Sequence, residues 1–420
     1  MRIALISLHT SPGAVPGSGD AGGMNVVVAE AARALARHGH GVEIFTRATN
    51  ETPAGERALD PHNSTGPRLI ALAVGKPSLR KEELPGLATE FGARIAEYGP
   101  FDAIHGHYWL SGVAAASLAA AQAKATGQRV TPALTLHTVA AQKNAHLALG
   151  DRPEPQARLD AEASLTGEQF IIAGSHSELA GVVAGYGTPA VGNTVIHPGV
   201  DTDLFVPAPT HRRSDSATAT GTGTAAAAAA ADFTITVLGR VQPLKGQLLA
   251  VEAMAALGQL DPTLAARTKL VIAGEPTPGA EDYAQALRAR ATESGISDRV
   301  HFLPAQSRTA AAALLTRSTL ALVPSRSETF GLVALEAAAS GVPTVVGAHT
   351  GLLEAAPNGV AGVHVADRDP RTWAGAIRAL LNDENLRQLY AIRGRAHAEA
   401  HNWDAHATKL LRTYDSLMRD

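Results

Sequence analysis

Short apolar runs rich in β-branched residues recur along the chain, most followed by a longer stretch with helical spacing. In the first half, "RIALIS" (2–7), "VEIFT" (42–46), "RLIALAV" (68–74), "FDAIHG" (101–106), "TPALTLH" (131–137) and "QFIIAGS" (169–175) read as strands. Runs that are apolar at nearly every position are buried on both faces, as in a parallel sheet. Helical stretches such as "MNVVVAEAARALARHG" lie between several of them. The pattern stops at residues 210–231, which are rich in Ser, Thr, Gly and Ala and poor in large apolar side chains. Such a segment cannot bury enough surface to fold alone, so we expect a disordered insertion, with the alanine run 225–231 open to a helical fragment. The pattern then restarts with "FTITVLG" (233–239), "KLVIAG" (269–274), "RVHFLP" (299–304), "TLALVPS" (319–325), "PTVVGA" (343–348) and "GVHVA" (362–366). Two doubly wound α/β domains facing a cleft are the expected architecture, with ligands at the C-terminal ends of the strands.

Composition narrows the choices. The chain has 420 residues, enough for two domains, with 45% apolar and 18% charged residues. The formal net charge of −3 gives no global bias toward nucleic acid or anionic membrane. There are no cysteines, which excludes disulfides, thiolate nucleophiles and cysteine zinc sites. The apolar stretch at the N-terminus is too short for a signal peptide, and no apolar run reaches membrane-spanning length. Cytoplasm is the expected compartment.

"GSGDAGG" contains G-x-G-x-x-G at Gly17, Gly19 and Gly22. A dinucleotide fingerprint needs its first glycine directly after the strand, yet Gly17 lies ten residues beyond Ser7. The next strand should also end near an acid that holds the ribose, and "VEIFTRA" ends in Thr46 and Arg47. A nicotinamide or flavin role is therefore set aside. The glycines run into a helix beginning near Met24, and a glycine-rich loop at a helix N-terminus offers N–H groups to an anion.

The second half carries a matching constellation. In "GRVQPLKG", Arg240 and Lys245 flank a short turn after a strand, and two fixed cations there suit a diphosphate. In "PSRSETFGLVALEAAASG" a strand ends at Ser325, Glu328 lies in the loop and a helix starts near Gly331. Glu336 follows Glu328 by eight residues, so the two acids suit hydroxyls at either end of a nucleotide sugar.

Glu328, Phe330, Gly331 and Glu336, with Arg240 and Lys245, resemble the donor signature of family 4 retaining glycosyltransferases of the GT-B fold. The resemblance covers nearly the whole chain outside 210–231. It implies an N-terminal acceptor-side domain over 1–197, with the terminal helix 401–420 packing back on it, and a nucleotide-sugar domain over 198–400. "GDAGGMN", "HYWLSG" and "HTVAAQKN" are similar to a narrower branch, which moves N-acetylglucosamine from UDP-N-acetylglucosamine to 1D-myo-inositol 3-phosphate at the start of mycothiol synthesis. The resemblance implies that Arg240 and Lys245 hold the diphosphate, Glu328 the donor sugar and Glu336 the ribose. It places Gln306 by the uracil through backbone atoms, and has His9, Gly23 and His137 contact the donor from the first domain. Lys81, Tyr108, Thr138 and Arg158 would hold the acceptor phosphate, while Asp20, Gly22 and Asn25 would meet the inositol ring. His137, Arg240, Lys245 and Glu328 are the expected catalytic set. No cofactor is expected for the chemistry. A structural magnesium is implied at backbone carbonyls around Leu315, Thr316 and Ser318, and a homodimer is expected. Val15 stands where relatives often carry Gln.

Other readings stay open on sequence alone. Another retaining transferase, such as one making sucrose phosphate, would share the donor motifs. A nucleotide-sugar epimerase would need no acceptor, and a non-enzymatic binding protein would bind UDP without turnover. A membrane-surface mannosyltransferase would want a strongly basic amphipathic helix, and "MNVVVAEAARALARHGH" has only Arg33 and Arg37 as fixed cations.

Overall fold

The structure, a computed structural model, describes residues 1–17, 19–61, 63, 65–145, 147, 153–208 and 233–419. The low-complexity stretch 210–231 lies outside the described residues. The chain forms two α/β units: Met1–Pro16 with Asp20–Gly199 and His401–Asp420, and Gly17–Gly19 with Val200–Ala400.

The first unit contains β1 (Arg2–Ile6), β2 (Gly41–Arg47), β3 (Gly55–Ala58), β4 (Arg68–Leu72), β5 (Ala103–His107), β6 (Ala133–Thr135), β7 (Phe170–Ala173) and β8 (Asn193–Val195). Its helices are α1 (Gly23–Arg37), α2 (Ala88–Ile95), α3 (Trp109–Thr126), α4 (Ala140–Ala145), α5 (Gln156–Glu168) and α6 (His176–Tyr186). The strands form one eight-stranded sheet in the order β3-β4-β2-β1-β5-β6-β7-β8. All neighbours are parallel except β3 with β4. Ile3, Leu5 and Ile6 of β1 are fully buried, as a central strand covered on both faces requires.

The second unit contains β9 (Phe233–Leu238), β10 (Thr268–Ala273), β11 (Val300–Leu303), β12 (Leu320–Val323), β13 (Thr344–Gly347) and β14 (Gly362–Val365). Its helices are α7 (Gln247–Leu260), α8 (Pro262–Ala266), α9 (Glu281–Glu293), α10 (Arg308–Thr316), α11 (Leu332–Ala339), α12 (Leu352–Ala355), α13 (Pro370–Asn382) and α14 (Glu384–Ala400). The six strands are all parallel, in the order β11-β10-β9-β12-β13-β14. The last helix, α15 (Trp403–Leu417), belongs to the first unit. Asn402 caps it by accepting the Ala405 amide, Arg37 of α1 pairs with Asp404, and Tyr414 bonds His105 of β5. Among the described residues, no helix is long and apolar enough to cross a membrane.

Each sheet reverses its winding beside its first strand. In the first unit the reversal falls between β1 and β5, and in the second between β9 and β12. In doubly wound sheets the crevice beyond the carboxyl ends of those strands receives ligands.

Candidate functional site

In the first unit the segments leaving β1, β5 and β6 carry the candidate residues. Past β1, the Ser7 hydroxyl donates to the Thr10 carbonyl, and Ser111 of α3 accepts the Leu8 amide. The buried Asn25 then ties this loop to the start of α1. Its amide nitrogen donates to the Thr10 hydroxyl and the Ser11 carbonyl, and its oxygen accepts the Gly22 amide. Its oxygen keeps a second lone pair, with which it could still accept from a ligand hydroxyl as expected. Both of its amide hydrogens are committed to the loop, so Asn25 also shapes the turn that carries Asp20, Gly22 and Gly23. Asp20 and Gly23 are exposed in that turn.

Tyr108 is the hub of the acceptor-side set. It follows β5 with φ 77°, a left-handed conformation that a bulky residue adopts only under constraint. Its ring lies 4.5 Å from the His9 ring, 4.4 Å from the Lys81 ammonium and 4.6 Å from the Arg158 guanidinium. Arg158 is 2% exposed and donates to both the carbonyl (2.6 Å) and the hydroxyl (2.9 Å) of Thr138. Lys81, Tyr108, Thr138 and Arg158 are therefore one cluster, although 77 residues separate the first from the last.

Residues outside the sequence expectations hold that cluster. Glu162, one turn along α5 from Arg158, accepts Arg158 Nε at 2.6 Å. Its other oxygen accepts the Ala140 amide and the Tyr186 hydroxyl, both at 2.9 Å. Glu154 pairs with Arg158 at 2.9 Å and with Lys143. Burial pulls the Arg158 guanidinium pKa down, but Tyr108, Glu162 and Glu154 outweigh it, and the group is held charged. Burial pushes Glu154 up, and Arg158 and Lys143 pull it below the ordinary carboxylate range. The i,i+4 spacing of Glu154, Arg158 and Glu162 was the available sequence signal.

His137 lies beyond β6 with φ 60°. Its Nε2 is 2.9 Å from His107 Nδ1, and burial with the nearby His406 lowers its pKa to about 3, so it is neutral. Behind it, buried Glu178 accepts the Gly174 amide at 2.6 Å. Burial raises Glu178 to about 7, against the Gly174 and His137 amides that favour its charged form.

In the second unit the turn after β9 brings Lys245 to Glu328, 2.6 Å away. Ser325 also donates to that carboxylate, and the Glu328 amide donates to Thr350, another left-handed residue (φ 52°) that sequence reading missed. Gln247 of α7 holds the Arg240 carbonyl. Glu336 is buried in α11 and ion-paired with Arg308 of α10, whose guanidinium lies 4.9 Å from the Phe205 ring centroid. Arg308 was not foreseen. The Gln306 side chain folds back onto the Pro304 carbonyl, leaving its backbone for any base contact.

At the C-terminal end of α10, a magnesium ion would meet main-chain carbonyls. The Leu315 carbonyl already accepts the Arg317 and Ser318 amides. The Thr316 hydroxyl shares its one hydrogen between the Ala312 and Val206 carbonyls, 2.9 and 3.1 Å away, and that of Ser318 donates to Leu314. An ion at this helix end would be structural.

Comparison with known proteins follows the same division. The model of the family described as "Glycosyltransferase Family 4" matches residues 21–204, and that described as "Glycosyl transferases group 1" matches 226–397. The chain is 39% identical over 98% of its length to a D-inositol 3-phosphate glycosyltransferase of Salinispora arenicola, of which it covers 91%. It is similar to the solved sucrose-phosphate synthase of Thermosynechococcus elongatus, with a TM-score of 0.83, 28% identity and coverage of 100% and 99% of the two chains. Anabaena HepE, solved with UDP and glucose, shares the fold at a TM-score of 0.73, with 20% identity and coverage of 99% and 100%. With both halves of the chain matched and a close relative spanning nearly all of it, the protein belongs to the family 4 glycosyltransferases, hexosyltransferases of the GT-B fold, and is closely related to the D-inositol 3-phosphate glycosyltransferases.

Proposed function

We propose that the protein transfers N-acetylglucosamine from UDP-N-acetylglucosamine to 1D-myo-inositol 3-phosphate with retention of the α configuration, the opening step of mycothiol synthesis. The carrying observation is the convergence of Lys81 and Arg158 on the Tyr108 ring, with the Thr138 hydroxyl bonded to Arg158. Two fixed cations and a hydroxyl donor suit a phosphate dianion, and the relatives' shared name supplies the acceptor's identity. Asp20, Gly22 and Asn25 would meet the inositol ring from that turn, Asn25 through its oxygen.

The second unit supplies the donor side. Arg240 and Lys245 bind the diphosphate, Glu328 the sugar hydroxyls, Glu336 the ribose and the Gln306 backbone the uracil, while His9, Gly23 and His137 complete the donor contacts. Before the donor binds, Glu328 neutralises Lys245. The diphosphate takes its place on Lys245 and frees the carboxylate to accept from sugar hydroxyls. In the transfer, the bond from the anomeric carbon to the diphosphate oxygen breaks and one from that carbon to an inositol oxygen forms on the same face. The inositol proton passes to the departing phosphate oxygen, and Arg240 and Lys245 stabilise the charge that develops there. The same reading has a homodimer working in the cytoplasm.

The test is UDP release from UDP-N-acetylglucosamine with and without 1D-myo-inositol 3-phosphate. Release that depends on the inositol phosphate is expected. Release with a UDP- or ADP-glucose and sugar-phosphate pair, and none with the proposed pair, would move the function to a sucrose-phosphate-type reaction.

A further inference from the structure

His105 and His107 sit two residues apart on β5, their rings 4.2 Å apart and both almost fully buried. The hydrogen bonds of His105 fix its proton. The Thr135 hydroxyl spends its one hydrogen on the Ile172 carbonyl at 2.7 Å, so at 3.0 Å it can only accept from His105 Nε2. His105 therefore carries its proton on Nε2, and its Nδ1 accepts from Tyr414, 2.8 Å away.

The same accounting applied to His107 reaches the site. Its Nδ1 is 2.9 Å from His137 Nε2, while its own Nε2 is buried with no hydrogen-bond partner. A buried N–H without an acceptor is rarer and costlier than a buried lone pair without a donor. The His107 proton therefore belongs on Nδ1. Burial and the neighbouring imidazoles keep both rings neutral. A neutral His137 that accepts at Nε2 must carry its single proton on Nδ1.

We infer that His107 is a positioning residue that donates to His137 and fixes it as the Nδ1–H tautomer, so that His137 offers the bound sugar a hydrogen-bond donor and not a lone pair. Resting on the reading of His137 as a donor-sugar contact, this has a mechanistic consequence. With one ring nitrogen accepting from His107 and the other already protonated, His137 has no site for the acceptor's proton. The departing phosphate oxygen is left as the base. His137 instead binds a sugar oxygen, and its left-handed backbone and its contact with His107 set the direction of that bond.

The decisive measurement is long-range ¹H–¹⁵N correlation on protein labelled with ¹⁵N-histidine, the His137 signals being identified by their loss in His137→Ala. The expected pattern has a protonated Nδ1 and a bare Nε2. A protonated Nε2 on His137 overturns the inference, whatever the enzyme transfers. Two variants extend the test to turnover. His107→Asn keeps an N–H near the Nδ1 position and should retain the tautomer and most of kcat. His107→Leu removes the donor and should lower kcat by roughly 10- to 100-fold, by analogy with groups that orient metal-bound imidazoles, with the KM for the acceptor unchanged. Equal losses in the two variants, or a loss confined to acceptor KM, would also overturn it. Absence of transfer to inositol phosphate by the wild-type enzyme would defeat the functional reading and leave the tautomer to be judged by the spectrum.

Discussion

Glu162 is fully buried, and its carboxylate ties Arg158 to the segment that follows Thr138. One oxygen holds Arg158, and the other holds the amide two residues beyond Thr138. It therefore sets the spacing between the two groups proposed to grip the phosphate. Glu162→Gln places an N–H against either Arg158 Nε or the Ala140 amide, both of which are donors. Initial rates with each substrate varied in turn should show the acceptor KM raised on the order of 10-fold or more, the equivalent of about 1.4 kcal/mol, and the donor KM unchanged. Equal increases in both constants would mean general damage to the unit. Much of this set was legible as motif, because Arg158, Thr138, Tyr108 and Lys81 stand in recognisable local patterns. The groups that orient them were not. Glu162, Tyr186 and His107 look like ordinary helix or strand residues until the fold brings them to their partners, and the left-handed conformations of Tyr108 and His137 leave no mark on a sequence.

At the level of elements, apolar parallel strands announce themselves and polar or very short edge strands do not. β1, β2, β9, β10, β12 and β13 lie within a residue or two of the apolar runs, because burial on both faces demands such runs. β3 escaped notice because "GERA" is mostly exposed and pairs antiparallel at the sheet edge, so nothing forces it to be apolar. β8 is a three-residue edge strand with no buried position. Turn chemistry matters most at Gly246, between the 3-10 turn Pro243–Lys245 and α7. Its φ is +71°, and a Cβ there would stand 2.1 Å from the Pro324 carbonyl oxygen. Gly246→Ala should cost about 2 kcal/mol or more, from left-handed strain plus displacement of the β12 loop, and should weaken UDP binding by shifting Lys245. Gly279→Ala is the control, since its φ is +86° but nothing lies within 4 Å of the added carbon. Its cost should be strain alone, about 1 kcal/mol, with UDP binding intact. Thermal denaturation and calorimetric titration with UDP separate the two, and matching profiles would remove the proposed link between that turn and the donor site.

At the level of the whole molecule, buried ionisable groups of the first unit oppose one another in pH. Burial lowers His105 and His137 to about 3 and His406 to about 4, and drives His107 well below its ordinary value. Their unfolded counterparts take up protons near pH 6.5, so each group's contribution to stability falls as pH drops below that value. Glu178 runs the other way. Burial raises it from 4.5 to about 7, so the folded chain keeps a proton that the unfolded chain releases near 4.5. Its contribution is complete below pH 4.5 and is lost as pH rises to about 7, because the fold must then hold a buried carboxylate. Between these limits the imidazoles outnumber the acid, and stability should climb with pH. Glu178→Gln removes the opposing group while keeping an acceptor for the Gly174 amide. Relative to wild type, the variant should gain with rising pH across the 4.5–7 window, by at most about 3.5 kcal/mol at roughly 1.4 kcal/mol per pH unit, and change no further above it. Urea denaturation of both proteins at intervals from about pH 5 to pH 8 measures that difference directly. Curves that stay parallel would show Glu178 already ionised at the bottom of the range, held charged by the Gly174 and His137 amides against its burial.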